Sequence, residues 1–322
     1  MTAMLAAPGA GTADVDALTA SYTITTDDGV RLAVREYCPA SVKANILLSH
    51  GFCLSQDEWA YQVEYLTEHF GDCVRIMTYD HRGHGRSDTA PVHTYTVHQL
   101  AQDLGAVTAE LHVEGPLVLA GHSMGAMTIL EFLKQPRWSR PVDPAGLVLV
   151  ATAAGRLCEH GLGRLLASPL SSALNYLASH EHLVARAPET MLRTLAGPLC
   201  AAASLYAHCG RDERATLNAL TASAFARTPL STAAGFLRGL AHYDATDVLA
   251  TITATTVIVS GDADLLTPTV HADQLATTIP GAEHITLPGA GHMLPTRAAR
   301  AVNDALTRVL HHVTNTPEKT RR

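Results

Sequence analysis

A serine hydroxyl attacks a carbonyl at neutral pH only when a general base takes its proton and a carboxylate orients that base. Ser123 stands in Gly121-His122-Ser123-Met124-Gly125, a G-x-S-x-G pattern. The apolar run 117–120 before it reads as a buried strand, and 126–134 after it as a helix. This spacing predicts a strand-to-helix turn that strains the Ser123 backbone and exposes its hydroxyl at the strand's C-terminal end. Gly121 and Gly125 flank it because a side chain at either would collide with the neighbouring strand and helix. The helix N-terminus behind Ser123 favours negative charge there.

In an open parallel sheet, reactive groups gather at the C-terminal ends of the strands. The partners of Ser123 are therefore sought in loops that follow strands. The loop after the apolar run 255–260 reads Gly261-Asp262-Ala263-Asp264-Leu265-Leu266-Thr267-Pro268 and offers two carboxylates. Capping a turn or the next helix is the other use of such residues, and residue type alone does not choose between Asp262 and Asp264. Among the downstream histidines His271, His284, His292, His311 and His312, only His292 falls in a loop after a strand, Pro288-Gly289-Ala290-Gly291-His292-Met293. Its glycines let the backbone turn the imidazole inward. Serine, acid and histidine then follow in the chain order this architecture uses. Two backbone N–H groups are expected to hold an oxyanion: Met124, next after the serine, and Phe52 in His50-Gly51-Phe52, with Cys53 as the alternative. His50 reads as a brace for that loop.

The elements that must position these groups are legible in outline. Strands are expected over 21–26 and 30–37, joined by an Asp27-Asp28-Gly29 turn, and over Ala44–Ser49 and Val74–Tyr79. A helix over 59–70 places Trp59, Val63, Leu66 and Phe70 on one face, and a second covers 96–113. Further strands are expected over 145–152, 255–260 and Glu283–Leu287, with helices over 270–278 and 296–312. Such alternation predicts an α/β fold with a mostly parallel, right-handedly wound sheet flanked by helices. Residues 153–245 interrupt it. They are rich in Ala and Leu at helical spacing, with breaks at Ser168-Pro169, Ala187-Pro188, Gly197-Pro198 and Thr228-Pro229, and read as an inserted helical cap. The core is then discontinuous, 21–152 and 246–312, with a flexible arm over 1–20 and a polar tail over 313–322.

Composition sets the outer bounds. The chain of 322 residues, 47% apolar, carries a sizeable core, and its net charge of −7 with no basic run argues against a nucleic-acid partner. The six cysteines, Cys38, Cys53, Cys73, Cys158, Cys200 and Cys209, show no C-x-x-C spacing, which argues against a zinc or redox motif and fits a reducing compartment. The eighteen histidines place no H-x-x-x-H pair on an expected helix and read mostly as surface or ordinary polar residues. The first positive side chain is Arg31, so the apolar start lacks the charged head of a secretory signal, and no apolar run is long enough to span a membrane. A cytoplasmic location is the expectation.

Taken together, His50-Gly51-Phe52, Asp80-His81-Arg82-Gly83-His84-Gly85-Arg86-Ser87, Gly121 to Gly125, Gly261-Asp262-Ala263-Asp264 with Pro268, and Gly291-His292 resemble the α/β-hydrolase superfamily, over about residues 21–312. The resemblance implies that the acid is the second aspartate of G-x-x-D-x-x-x-P, Asp264. It implies a structural role for the 80–87 loop and a lid role for the insertion. It implies a serine hydrolase that cleaves a carboxylic ester of a small-molecule substrate through an acyl-enzyme, with no cofactor and no metal. Perhydrolysis and carbon–carbon bond hydrolysis use similar triads, and a non-catalytic receptor of the same fold is the remaining alternative. Ser123 is unlike the aspartate that haloalkane dehalogenases and most epoxide hydrolases need there. The short His-Gly-Phe stretch departs from the H-G-G-G type of many carboxylesterases and disfavours bulky tertiary-alcohol esters. Leu165, Leu166, Leu170, Leu174, Tyr176, Leu195, Leu205, Tyr206, Phe225, Phe236 and Leu237 supply the cap with apolar side chains, either for a substrate group or for packing the cap itself.

Overall fold

The computed structural model describes residues 19–167 and 228–315. Most of the expected N-terminal arm, the middle of the expected cap with its first three proline breaks, and the tail beyond 315 lie outside the described residues.

Eight strands form one sheet in the order β1-β2-β4-β3-β5-β6-β7-β8. β1 (Thr19–Thr25) and β2 (Arg31–Tyr37) make the expected antiparallel hairpin, turning at Gly29 with φ 84°. β2 also runs antiparallel to β4 (Val74–Tyr79). Every other neighbouring pair is parallel: β4 with β3 (Ala44–Ser49), β3 with β5 (Leu117–His122), then β6 (Gly146–Val150), β7 (Thr255–Gly261) and β8 (Glu283–Leu287). The mostly parallel sheet read from the alternation is therefore present, with the antiparallel hairpin confined to one edge.

Alternate residues of the central strands feed two cores. Leu47, Leu119, Leu147, Leu149 and Ile258 face one side, where α2 (Val97–Glu110), α3 (Met124–Lys134) and α5 (Thr269–Thr278) pack. Ile46, Leu48, Val118, Ala120, Val148, Val150, Val257 and Val259 face the other, covered by α1 (Ala60–Phe70) and α7 (Ala299–Asn315). Strands buried on both faces read as continuous apolar runs, which is why they were legible. α4 (Leu230–Ala241) lies within the expected cap segment, near its C-terminal end. The helix expected over 296–312 is divided at Ala298, which leaves helical geometry (φ −128°, ψ 39°) between the short α6 (Leu294–Arg297) and α7.

Both ends of the 153–245 segment are built into the main core. Ala153, Ala154 and Leu157 at one end and Phe236, Leu240, Tyr243 and Ala245 at the other belong to the same buried cluster as α2 and α3. Gly235 and Gly239 let α4 lie directly on Tyr95 and Thr96, since a Cβ at Gly235 would sit 2.7 Å from the Tyr95 ring. Phe236 is fully buried against Tyr95, His84 and Phe52, at ring-centroid distances of 5.0, 5.5 and 6.3 Å. No helix among the described residues is long and apolar enough to cross a membrane.

Candidate active site

The β5 strand runs on through Gly121 and His122, two residues further than its apolar run, and α3 begins at Met124. The whole change of direction therefore falls on Ser123, with φ 51° and ψ −117°. A positive φ at a serine costs energy, and the surroundings over-determine it. Ser123 N–H donates to Val150 O at 2.9 Å, while its carbonyl accepts from Thr152 Oγ1 at 2.9 Å and Met127 N–H at 3.1 Å. A Cβ at Gly121 would collide with the Ala126 backbone, and one at Gly125 with the Ser49 carbonyl of β3. Both glycines allow the approach of helix to strand that the turn demands.

The His292 loop and the Asp264 loop follow β8 and β7 side by side, so the two residues meet although they are 28 positions apart in sequence. His292 Nδ1 lies 2.7 Å from Asp264 Oδ2, with Asp264 fully enclosed and His292 slightly open to solvent. Asp264 Oδ2 also accepts from Thr267 Oγ1 (2.8 Å), and Oδ1 accepts from the N–H groups of Leu266 (2.8 Å) and Thr267 (3.0 Å). Burial alone would raise the carboxyl, but His292 and these Thr267 hydrogen bonds hold it below the usual carboxylate range. Asp262 does different work. Its Oδ1 accepts from Gly289 N–H at 2.6 Å and pins the loop after β8 to the loop after β7. Asp264 both caps its own turn and meets His292.

The loop after β3 is fixed by histidines. His50 Nδ1–H donates to Gly51 O at 2.8 Å, and His50 Nε2 accepts from His81 N–H at 3.0 Å. His84 Nδ1–H donates to Arg82 O at 3.0 Å, and His84 Nε2 accepts from Cys53 N–H at 3.0 Å. Each ring is thus used as a neutral donor–acceptor. The Cys53 N–H is occupied, which removes it as an oxyanion donor. The N–H groups of Phe52 and Met124 have no acceptor among the described residues.

The 80–87 loop is scaffolding. Asp80 accepts from Gln56 N–H (2.7 Å), Gln56 Nε2 (2.9 Å) and Arg86 N–H (2.9 Å). Arg82 is buried between Asp103 and Asp28, with contacts of 2.6 Å and 2.8 Å. Sequence reasoning missed Glu58, whose Oε2 accepts from Gly51 N–H at 2.9 Å and whose Oε1 lies 2.6 Å from His122 Nδ1. It also missed Thr267 as the residue that holds Asp264. Among the described residues, no group of three or more His, Cys, Asp or Glu is placed to hold a metal ion.

Among the described histidines, His50 (the expected loop brace), His81, His84, His122 and His271 are buried and do not follow the surface or ordinary polar reading given to most of the eighteen. Burial drives His50 below the ordinary imidazole range, His81 well below it, and His84 down to about 3, and it lowers His271 as well. His122 alone moves upward. For the four lowered rings the unfolded chain binds protons that the folded chain refuses, so stability is full above about pH 6.5 and falls as pH drops below it. His122 has the opposite sign and offsets one of them. Unfolding free energies from urea titration should therefore fall between neutral pH and about pH 5, by about 1.4 kcal/mol per pH unit for each uncompensated neutral histidine, and the midpoints with them. An unchanged or rising midpoint over that range would show that these rings are not held neutral.

Residues 46–305 match the family model for the alpha/beta hydrolase family. The chain belongs to this family. Other alpha/beta hydrolases support the assignment at the level of fold. An esterase from Thermogutta terrifontis superposes with a TM-score of 0.70 at 25% identity, over 92% of this chain and 100% of that one. Among curated relatives, the probable oxidoreductase EphD of Mycobacterium tuberculosis (strain ATCC 25618 / H37Rv) is 36% identical over 118 residues, 36% of this chain and 19% of that protein. The bifunctional esterase/perhydrolase DCH of Acinetobacter calcoaceticus is 32% identical over 131 residues, 40% of this chain and 44% of that protein. The matches to these curated relatives span less than half of their lengths.

Proposed function

We propose that this alpha/beta hydrolase cleaves carboxylic esters through an acyl-enzyme on Ser123. The observation that carries the reading is the 2.7 Å contact between His292 and Asp264, at the same edge of the sheet as the strained Ser123, whose strand β5 is separated from β7 by β6. Ser123 Oγ attacks the ester carbonyl while His292 Nε2 takes its proton. Asp264 keeps the proton of His292 on Nδ1 and stabilises the imidazolium that forms. The oxyanion is received by the N–H groups of Phe52 and Met124, the latter at the positive end of α3. His292 then returns its proton to the leaving alcohol, and water releases the acid by the same steps in reverse roles.

Residues 153–245 are assigned as the cap that sets acyl size. They follow the C-terminal end of β6, next to β5 and Ser123, and apolar residues such as Leu166 and Leu237 lie on their described parts. Phe236 belongs instead to the wall behind Phe52. A second reading, perhydrolysis, is favoured by the DCH resemblance: hydrogen peroxide would replace water in the second step and leave as the peracid. A panel of p-nitrophenyl esters from acetyl to decanoyl, each with and without peroxide, tests both. Turnover that varies with acyl length supports the ester reading. No turnover of any ester refutes it.

A further inference from the structure

Behind the reacting groups lies a buried pair that the proposed mechanism does not use. Glu58 sits on the single turn Gln56–Trp59 that leads into α1, and His122 is the residue before Ser123. Their side chains are almost fully enclosed, and Glu58 Oε1 and His122 Nδ1 are 2.6 Å apart. The contact is an ion pair more than an aligned hydrogen bond, since neither atom completes an aligned bond. The other carboxylate oxygen accepts from Gly51 N–H at 2.9 Å, and the other imidazole nitrogen, Nε2, reaches the His292 carbonyl at 3.0 Å. A backbone carbonyl only accepts, and so does a carboxylate, so a His122 ring that faces both carries a proton on each nitrogen. The chain of contacts runs Gly51, Glu58, His122, His292. It touches the loop that carries Phe52, the residue beside Ser123, and the main chain of the base.

We infer that Glu58 and His122 are a positioning pair, a buried carboxylate and imidazolium that hold the oxyanion loop, Ser123 and His292 in mutual register. This rests on the serine hydrolase reading above. Burial by itself would strip the proton from His122, but Glu58 holds the ring above the ordinary imidazole range. Burial likewise works against an ionised Glu58, which His122 and Gly51 N–H keep below the carboxylate range. The groups facing the pair are His50 from the loop after β3, Asp264 from the loop after β7 and His292 from the loop after β8. The rings of His122 and His292 lie 4.8 Å apart. Breaking the Glu58–His122 pair by removing one charge leaves the other uncompensated, so the surviving ring gives up its proton.

The test compares the full-length wild type with Glu58→Gln, His122→Gln and the charge-conserving Glu58→Asp. Three readouts are taken: steady-state kinetics on p-nitrophenyl acetate across pH, the rate of Ser123 capture by a fluorophosphonate, and 15N-histidine NMR. In Glu58→Gln, kcat and the capture rate should fall about 10- to 100-fold while KM stays within about three-fold, because reacting atoms shift rather than lose binding contacts. Glu58→Asp should recover part of the rate. By NMR, both ring N–H groups of His122 should persist at neutral pH in the wild type and not in Glu58→Gln. Glu58→Gln and His122→Gln enzymes with wild-type kcat and capture rate would overturn the inference. So would a neutral His122 in the wild type at neutral pH, a result that stands even if the variants do not fold. A wild type that the phosphonate leaves unlabelled refutes the serine chemistry instead, and the NMR result still judges the pair.

Discussion

Ser123→Ala is expected to abolish ester hydrolysis, with kcat/KM reduced by roughly 10⁴- to 10⁶-fold. The loss is large because in the proposed mechanism serine, histidine and aspartate act as a unit: without the hydroxyl no acyl-enzyme forms, and the remaining groups offer only a site where water attacks unaided. The substitution leaves the fold intact. Alanine is no bulkier than serine, and the hydrogen bonds that hold the turn, to Val150 O and from Thr152 and Met127, use the Ser123 backbone. The positive φ of 51° strains serine and alanine alike. Urea unfolding should therefore match the wild type while activity disappears. A well-folded Ser123→Ala protein that keeps a tenth of its activity would remove Ser123 from the mechanism.

Asp264→Asn is expected to lower turnover by about 10⁴-fold, far more than Asp262→Asn. The asparagine cannot accept on both oxygen positions and donates an N–H toward His292 Nδ1, which favours the wrong tautomer of the base. It also disturbs the bonds from Thr267 and Leu266 that anchor the turn. Among the described residues the Asp262 side chain accepts from Gly289 N–H, so its amide costs a loop contact and leaves His292 oriented. Paired kinetics of the two variants, with the acid limb of each, check this. Asp262→Asn as the more damaging change would mean that the wrong aspartate has been assigned.

How much of this was legible depends on whether a feature is local. The parallel strands were readable because both faces are buried and their sequences are continuously apolar. The Ser123 turn was readable because two glycines mark it within five residues. The choice between Asp262 and Asp264 was not readable from residue type, since both follow β7 and both cap turns. It came from family resemblance, and in three dimensions their contacts differ: one meets His292, the other Gly289. The Glu58–His122 pair was invisible because its partners are 64 positions apart and each looks ordinary in isolation, a glutamate entering a helix and the variable residue of G-x-S-x-G. The burial of His81 and His84 escaped notice for the same reason. They meet His50, from a second loop, only once β3 and β4 lie side by side. Phe236 was assigned with the apolar side chains of the cap because helical spacing does not reveal which surface a helix covers. It packs against Tyr95 and Phe52.

The central claim is that Ser123 is the nucleophile and that a substrate acyl group is carried on it. Peptide mapping by mass spectrometry after treatment with a fluorophosphonate tests this most directly. The account predicts one stoichiometric adduct, on Ser123, whose formation slows sharply in Asp264→Asn and is absent in Ser123→Ala. An adduct on any other residue, or no adduct on protein that turns over esters, would contradict it.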